Sequence, residues 1–495
     1  MDMDSRESVW AAQQYGKAAL GDARLSHRLV LLVAWILVHM GKSFADIFKG
    51  DAAMKEAAYR FLRNDNVSWE AVAEAGFQAT VRRALETPGA LLAIQDSTGI
   101  SFDHAASGLG DLGGLRMSSN RGFFCHSSLL VEAQTGAVLG LADQMYWARP
   151  PEQRGTKADH KLRDYQDKES FKWEASSVRM RERLGPVMQR VVQVCDRESD
   201  VHEYLMDCIG HDLRFVVRAV RDRRLTSASD KLFESARNGA IRAEGTVAVP
   251  ARPGRKARDA KVELRSCTVT VKHPNRQYES LPDLELNAVL VQELKPPSDK
   301  DRLEWLLLTT EPVDTAEDSV RIAHWYARRW LVEVFHYTWK SGGTNVEGLQ
   351  MHSVETLMTA AVLLALAAVG ILQLRDALSS QFPRQPRLQP SVKTSETTCP
   401  PLPPRPCTDI LTDLEWQVLW IKTQNSQPPS TVPDSAWACL NIAKLGGWPA
   451  GKTPPGVHTV WAGRVILFQL AIGALIGAAM VQSGWVPPKP PSGEL

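Results

Sequence analysis

Two short apolar runs, Ala90-Leu-Leu-Ala-Ile-Gln-Asp96 and Val191-Val-Gln-Val-Cys-Asp196, each end in an aspartate, and neither shows the strict alternation of a half-buried strand. Runs of this length bounded by turn signals predict strands covered on both sides, which requires helices on both faces of one sheet. The segments 127–133 (SSLLVEA) and 136–147 (GAVLGLADQMYW) predict two further strands, turned at Gln134-Thr135-Gly136. A helix is expected around Glu169 to Leu184, another from Asp200 to Ile209, and a strand from Leu213 to Val220. Three strands, helix, strand, helix, strand describes an α/β fold, a mixed sheet with flanking helices.

At 495 residues, 44% hydrophobic and 23% charged, the chain is long enough for two to four domains. Its seven cysteines are odd in number and scattered without a C-x-x-C pair, the pattern of reduced cytoplasmic thiols rather than of a disulfide framework or a zinc site. Lys plus Arg (58) exceeds Asp plus Glu (56) by only 2, so an argument for a polyanionic partner has to be local. The start carries no signal-peptide pattern, and the apolar runs 29–38, 357–372 and 465–481 fall short of a bilayer span. They read as buried or interface helices, with no membrane involved.

The organisation expected along the chain is a helical domain over 1–70 and a catalytic domain over 71–380 containing a β-rich insertion at 221–304. A linker at 381–407, a helical domain at 408–482 and a disordered tail at 483–495 follow. Eight prolines fall within 383–406, which sets the linker. Between Leu213 and Arg258 there are 12 Lys plus Arg against 4 Asp plus Glu. That stretch is either a surface that tracks phosphates or a solvated face. The same two readings apply to Lys42, Lys55, Arg60 and Arg63 in the N-terminal helices. Residues 446–453 satisfy G-x-x-x-x-G-K-[ST], yet they follow a helical pattern and run into Pro454-Pro455, the wrong context for a phosphate loop.

Asp96 and Asp196 end neighbouring strands, where two carboxylates at one sheet edge can share divalent cations; either can instead cap the turn that follows. A helix expected over 315–340 carries Tyr326, Arg329, Glu333 and Lys340 within a stripe of about 60° at 100° per residue. A polar stripe on a helix rich in Trp, Leu, Val and Phe fits a metal and phosphate site, with a structural ion-pair ladder as the alternative.

Asp, Asp and Glu on strand one, strand four and a late helix is the layout of RNase H-like nucleotidyl transferases. With Y-x-x-R-x-x-x-E-x-x-x-x-x-x-K, the sequence resembles the bacterial DDE transposases of cut-and-paste insertion sequences. Segments such as ALGDARLSHRL, AAYRFLRNDNVS, LLAIQDSTGISF, NRGFFCHSSLLVEA, VCDRESDVHEYL, EWLLLTTEPV and WACLNIAKLGG carry the resemblance along nearly the whole chain. It implies an enzyme whose Asp96, Asp196 and Glu333 bind two Mg²⁺ ions, with Mn²⁺ as substitute. It further implies that Tyr326, Arg329 and Lys340 contact double-stranded transposon-end DNA near a flipped base received by Trp305. Trp330 shapes that pocket or belongs to the core, and Arg218 lies on a DNA-facing hairpin. Arg24, Arg28, Arg60 and Arg63 would contact end-DNA phosphates, and the protein would act as a homodimer in the bacterial cytoplasm, associated with the nucleoid. The loop after Lys340, SGGTNVEGLQM, is poorer in basic residues than the family pattern. A descendant that binds DNA without cutting it and a plain metal-dependent nuclease are the competing readings.

Overall fold

The computed structural model describes residues 6–485 except 40–41, 113–120, 150–162, 227–230, 250, 252–253, 255, 275–280, 299–300, 380–387, 392–405, 410 and 451–454. It opens with five helices: α1 (Arg6–Tyr15), α2 (Ala23–Val38), the short α3 (Phe44–Ile47), α4 (Ala52–Leu62) and α5 (Trp69–Glu86). Their starts are written locally, because the side chains of Asp22, Ser43, Asp51 and Ser68 each accept from a backbone N–H of the first turn. The apolar faces of these helices join one core with the central sheet.

The sheet contains eleven strands among the described residues. One half comprises β1 (Leu91–Ser101), the two-residue β2 (Gly110–Asp111), β3 (Arg121–Glu132), β4 (Val138–Trp147), β5 (Val191–Cys195) and β6 (Arg214–Arg218). Here the spatial order is β4-β3-β1-β5-β6. β1, β3 and β4 pair antiparallel, and β5 and β6 run parallel to β1. The β3–β4 turn bends at Gly136, whose φ of +73° suits a residue without Cβ. Between β4 and β6 lie α6 (Lys172–Leu184) and α7 (His202–Gly210), which cover one face.

The segment that follows holds α8 (Leu232–Arg237), β7 (Ala240–Val249), β8 (Arg258–Val271) and β9 (Leu284–Glu293), joined to β6 through β10 (Glu304–Thr309). Its cations are less free than the local count implies. Arg214 pairs with Glu311, Arg223 with Asp200, Arg237 with Glu304 and Arg258 with Glu293, so acids distant in sequence neutralise much of the surplus.

The helix expected over 315–340 is broken. α9 (Ala316–Ala327) stops, Arg328 and Arg329 form a tight turn with i→i+3 bonds, and α10 (Trp330–Tyr337) restarts before a π-type turn at Thr338–Gly342. α11 (Val354–Ser379) then runs through the core. Of the expected linker, β11 (Leu388–Pro390) is described, and it pairs with the edge strand β7 with Leu388 fully buried. Residues 381–387 and 392–405 of that linker, and the tail beyond Trp485, lie outside the described residues.

The C-terminal helices are α12 (Asp413–Gln424), α13 (Ser435–Leu445) and α14 (Val457–Gln482). α13 and α14 approach at Gly446 and Gly463, where an added Cβ would sit 1.9 Å from Thr459 O and 1.7 Å from Ile442 O. Gly446 and Gly447 follow a helix, not a strand; residues 451–454 of the phosphate-loop-like string lie outside the described residues. Among the described residues, two helical segments are long and apolar enough to cross a membrane: Val354–Gln373, 89% buried, and Thr459–Gln482, 11% buried. The first is the core helix the sequence implied. The second is packed only in its N-terminal half, and Ile472, Leu475, Ile476 and Val481 are exposed.

Arg464, 2% exposed, joins α14 to the N-terminal helices by pairing with Glu7 of α1 (2.8 Å) and Glu415 of α12 (2.6 Å). Deleting one member of such a group strands the others without a partner in low dielectric. Arg464→Met is expected to destabilise the protein by about 3–5 kcal/mol in chemical denaturation. Adding Glu7→Gln and Glu415→Gln should recover part of the loss. A denaturation midpoint unchanged by Arg464→Met would show that the triad is not structural.

Candidate active site

Strand alternation decides which residues meet at the end of β1 and β5. Leu92, Ile94, Val192 and Val194 face the core built around α11, whereas Leu91, Ala93, Val191 and Cys195 face the α6–α7 side. The parallel register pairs Ile94 with Val194 and Gln95 with Cys195. The next residues, Asp96 and Asp196, therefore sit side by side and point to the same face. Asp196 also caps the turn after β5, accepting from Glu198 N at 2.8 Å, so the capping role and convergence with Asp96 hold together.

α10 packs across this face and brings Glu333. Arg329, at the start of α10, lies 3.5 Å from Asp96 Oδ2 and donates to the Glu333 carboxylate. Burial pushes the Asp96 carboxyl up to about 6; Arg329 opposes the shift, and the charges of Asp196 and Glu333 add to it. Among the described residues, no three His, Cys, Asp or Glu side chains stand close enough together to share one metal ion. The chemistry of the donors still suits a hard divalent cation, since Arg329 pairs with both Asp96 and Glu333 and the charge of Asp196 acts on Asp96 from the neighbouring strand.

Beside the carboxylates is a cavity of about 270 Å³ lined by Arg197, Arg218, Trp305, Tyr326, Arg329 and Trp330, with Arg258 and Arg302 at the insertion side. Tyr326 is buried, which raises its phenol, and its ring meets Trp305 edge-on at 5.3 Å. Arg218 donates to Glu304 O at 2.8 Å. The structure thus brings together Tyr326, Arg329, Trp305, Trp330 and Arg218. Lys340 departs from the expected stripe: in the π-type turn its Nζ reaches Gly99 O (2.8 Å) and Glu347 (3.0 Å).

Two of these neighbours carry no signal in the sequence. Glu347, which also faces the N–H and hydroxyl of Ser101 at 3.3 Å, sits in the loop whose composition stands out only for its few basic residues. Arg197 has acids on either side in the sequence, and Glu198 and Asp200 read there as caps of the next helix or as partners of Arg197. Instead Glu198 pairs with Lys172, and the buried Asp200 accepts from Arg223 and the Val220 and Arg221 amides.

In the N-terminal helices, Arg24, Arg28 and Arg60 line one groove of about 910 Å³ with Asn64 and Asn66, residues that sequence alone marks only as a helix interruption. Arg24 also pairs with Asp22 and Arg60 with Glu56. Arg63 is not part of that lining and stands 5.6 Å from the Tyr59 ring.

The raised Asp96 carboxyl has a thermodynamic consequence. Its charge is costly in the folded state at pH 8, and the cost is relieved as pH falls through about 6 toward the ordinary value of 3.8. Asp96→Asn should therefore stabilise the protein by roughly 1–3 kcal/mol at pH 8 in EDTA, with the gain fading by pH 4. Thermal melts of both proteins across this range check it; a gain that grew on acidification would have the wrong sign.

Residues 7–67 match the family described as transposase DNA-binding. Among solved structures, the chain is similar to a piggyBac transposase in a cryo-EM synaptic complex with hairpin DNA. The identity is 11% and the TM-score 0.36, with 78% of each chain covered. The matched stretch spans the helices α1 to α4 and includes the arginines that line the groove.

Proposed function

We propose that the protein is a bacterial DNA transposase that binds the inverted ends of its own mobile element, cleaves them and joins them to target DNA. The observation that carries this reading is one chain holding both a transposase DNA-binding match and three converging carboxylates. The order β4-β3-β1-β5-β6 and its strand directions support an RNase H-like catalytic domain. The spacing of Tyr326, Arg329, Glu333 and Lys340 supports the DDE insertion-sequence branch. The six described cysteines are free, in keeping with a reducing cytoplasm.

Asp96, Asp196 and Glu333 are the residues that would hold two Mg²⁺ ions, or Mn²⁺ in their place. Such ions supply activation of the attacking water or 3′-hydroxyl and stabilisation of the leaving oxygen. The chain's own residues do the positioning. Arg329, paired with carboxylates in the free protein, offers its guanidinium to a backbone phosphate once their charge is neutralised otherwise. Trp305 and Tyr326 present ring surface on which an unstacked base can lie, with Arg218 and Arg197 at the cavity wall for phosphate. Arg24, Arg28 and Arg60 hold the backbone of the end DNA. The uncharged, exposed second half of α14 supports self-association into the homodimer that joins two ends.

Asp96→Ala, Asp196→Ala and Glu333→Ala are each expected to abolish Mg²⁺- or Mn²⁺-supported cleavage of end DNA while leaving DNA binding intact. Cleavage at the parental rate by any one of them would remove that residue from the assignment.

End recognition is best tested by substitution, because the N-terminal helices share a core with the sheet and their removal would expose it. Arg24→Ala combined with Arg28→Ala should weaken DNA binding. The dependence of log K on log salt should become shallower by about 0.9 for each phosphate that the variant no longer neutralises. An unchanged salt slope in equilibrium binding would place the DNA elsewhere.

A further inference from the structure

Behind the carboxylates, on the opposite face of the sheet, a line of side-chain hydrogen bonds crosses three strands. Ser97 and Gln95 flank Asp96 on β1 and point to the α6–α7 side, as does His126 of β3, which pairs with Ser97 in register. The Ser97 hydroxyl lies 2.9 Å from His126 Nδ1, and His126 Nε2 lies 3.1 Å from Gln95 Oε1. Gln95 Nε2 donates to Gln193 Oε1 of β5 at 2.9 Å. Ser177 Oγ (2.5 Å) and Tyr204 OH (3.3 Å) donate to the same Gln193 oxygen and anchor the far end on α6 and α7.

The protons in this line can be placed. An amide oxygen only accepts, so His126 Nε2 carries the hydrogen; in a neutral ring Nδ1 is then the acceptor for the Ser97 hydroxyl. Burial holds the imidazole well below its usual range, in agreement with a neutral ring. Every step from Ser97 to Gln193 therefore runs in one direction. Gln95, His126 and Gln193 are all fully buried, and His126 meets the Trp173 ring edge-on at 4.5 Å. An apolar set of the same volume would fill this space without three polar side chains in low dielectric. What the polar line adds is fixed relative placement of the strands that present Asp96 and Asp196.

We infer that Ser97, His126, Gln95 and Gln193 are positioning residues that set the spacing of the Asp96 and Asp196 carboxylates and thereby the affinity of the site for a divalent cation. The inference rests on the carboxylate site proposed above. Hydrogen bonds behind metal-binding side chains typically alter metal affinity by about 10–100-fold when removed.

The test is Mn²⁺ binding to the full-length protein, read from the electron paramagnetic resonance of free Mn²⁺, with Asp96→Ala defining the site. His126→Phe keeps a ring against Trp173 and removes both hydrogen bonds; it should weaken Mn²⁺ binding by about tenfold or more while end-DNA binding persists. His126→Gln, which restores a donor toward Gln95, should recover much of the affinity. Ser97→Ala removes one hydroxyl with almost no change in volume, so it keeps the fold even if His126→Phe does not, and it should weaken Mn²⁺ several-fold by the same route. Parental Mn²⁺ affinity in Ser97→Ala, with Asp96→Ala lacking the site, would overturn the positioning role alone. A parent that binds Mn²⁺ no better than Asp96→Ala would overturn the carboxylate site itself, and this inference with it.

Discussion

The parallel register between β1 and β5 governs everything built on this sheet. Side chains alternate along a strand, so a slip of one residue would send one aspartate to the α6–α7 side, among Trp173, Tyr204 and Phe215, while the other stayed in place. The apolar residues of both strands are fully buried on both faces, which penalises any other register. The Gln95–Gln193 bond pins the pair immediately before the carboxylates emerge. The two aspartates thus meet because of residues buried within the sheet.

Bringing three carboxylates together has an electrostatic cost, visible in the raised Asp96 carboxyl. Arg329 offsets part of it by serving Asp96 and Glu333 at once. The break between α9 and α10 belongs to this arrangement. It separates the two helices at Arg328 and Arg329, so that Tyr326 faces Trp305 and the cavity while Glu333 faces the sheet. A straight helix would keep all four stripe residues on one line. Here three of them gather at the cavity and the carboxylates, and Lys340 turns away to Gly99 and Glu347.

Much of the carboxylate site was legible because its signals are local. Apolar runs ending in aspartate at 96 and 196, each broken by one glutamine, predicted the strands, and polar spacing on an apolar helix singled out Arg329 and Glu333. What stayed hidden depends on distant pairs. No glycine or proline marks the break at Arg328. The positive count between Leu213 and Arg258 gave no notice of Glu293, Glu304 and Glu311, which neutralise it from other strands and loops. His126 preceded an expected strand and had no visible partner, since Ser97, Gln95 and Gln193 reach it only through the sheet. The prolines at 383–406 suggested a spacer, yet Leu388 to Pro390 extend the insertion's edge, with Leu388 buried beneath.

The N-terminal helices, the sheet and α11 share one apolar core, and Arg464 adds a buried ionic tie from α1 to α12 and α14. The N-terminal groove, mounted this way, has little freedom relative to the carboxylates; under the function proposed above, its arginines would act as a ruler that fixes where along the DNA a phosphodiester meets the site. The second half of α14 is the exception. From Ile472 to Val481 it is largely exposed, apolar and uncharged, which water disfavours by about 25 cal/mol per Å² of apolar surface. The same chain therefore ties its N-terminal groove into the core and leaves one apolar helix half exposed. That division suits the transposase proposed above, with its site built within one protomer and a second protomer to cover the exposed helix.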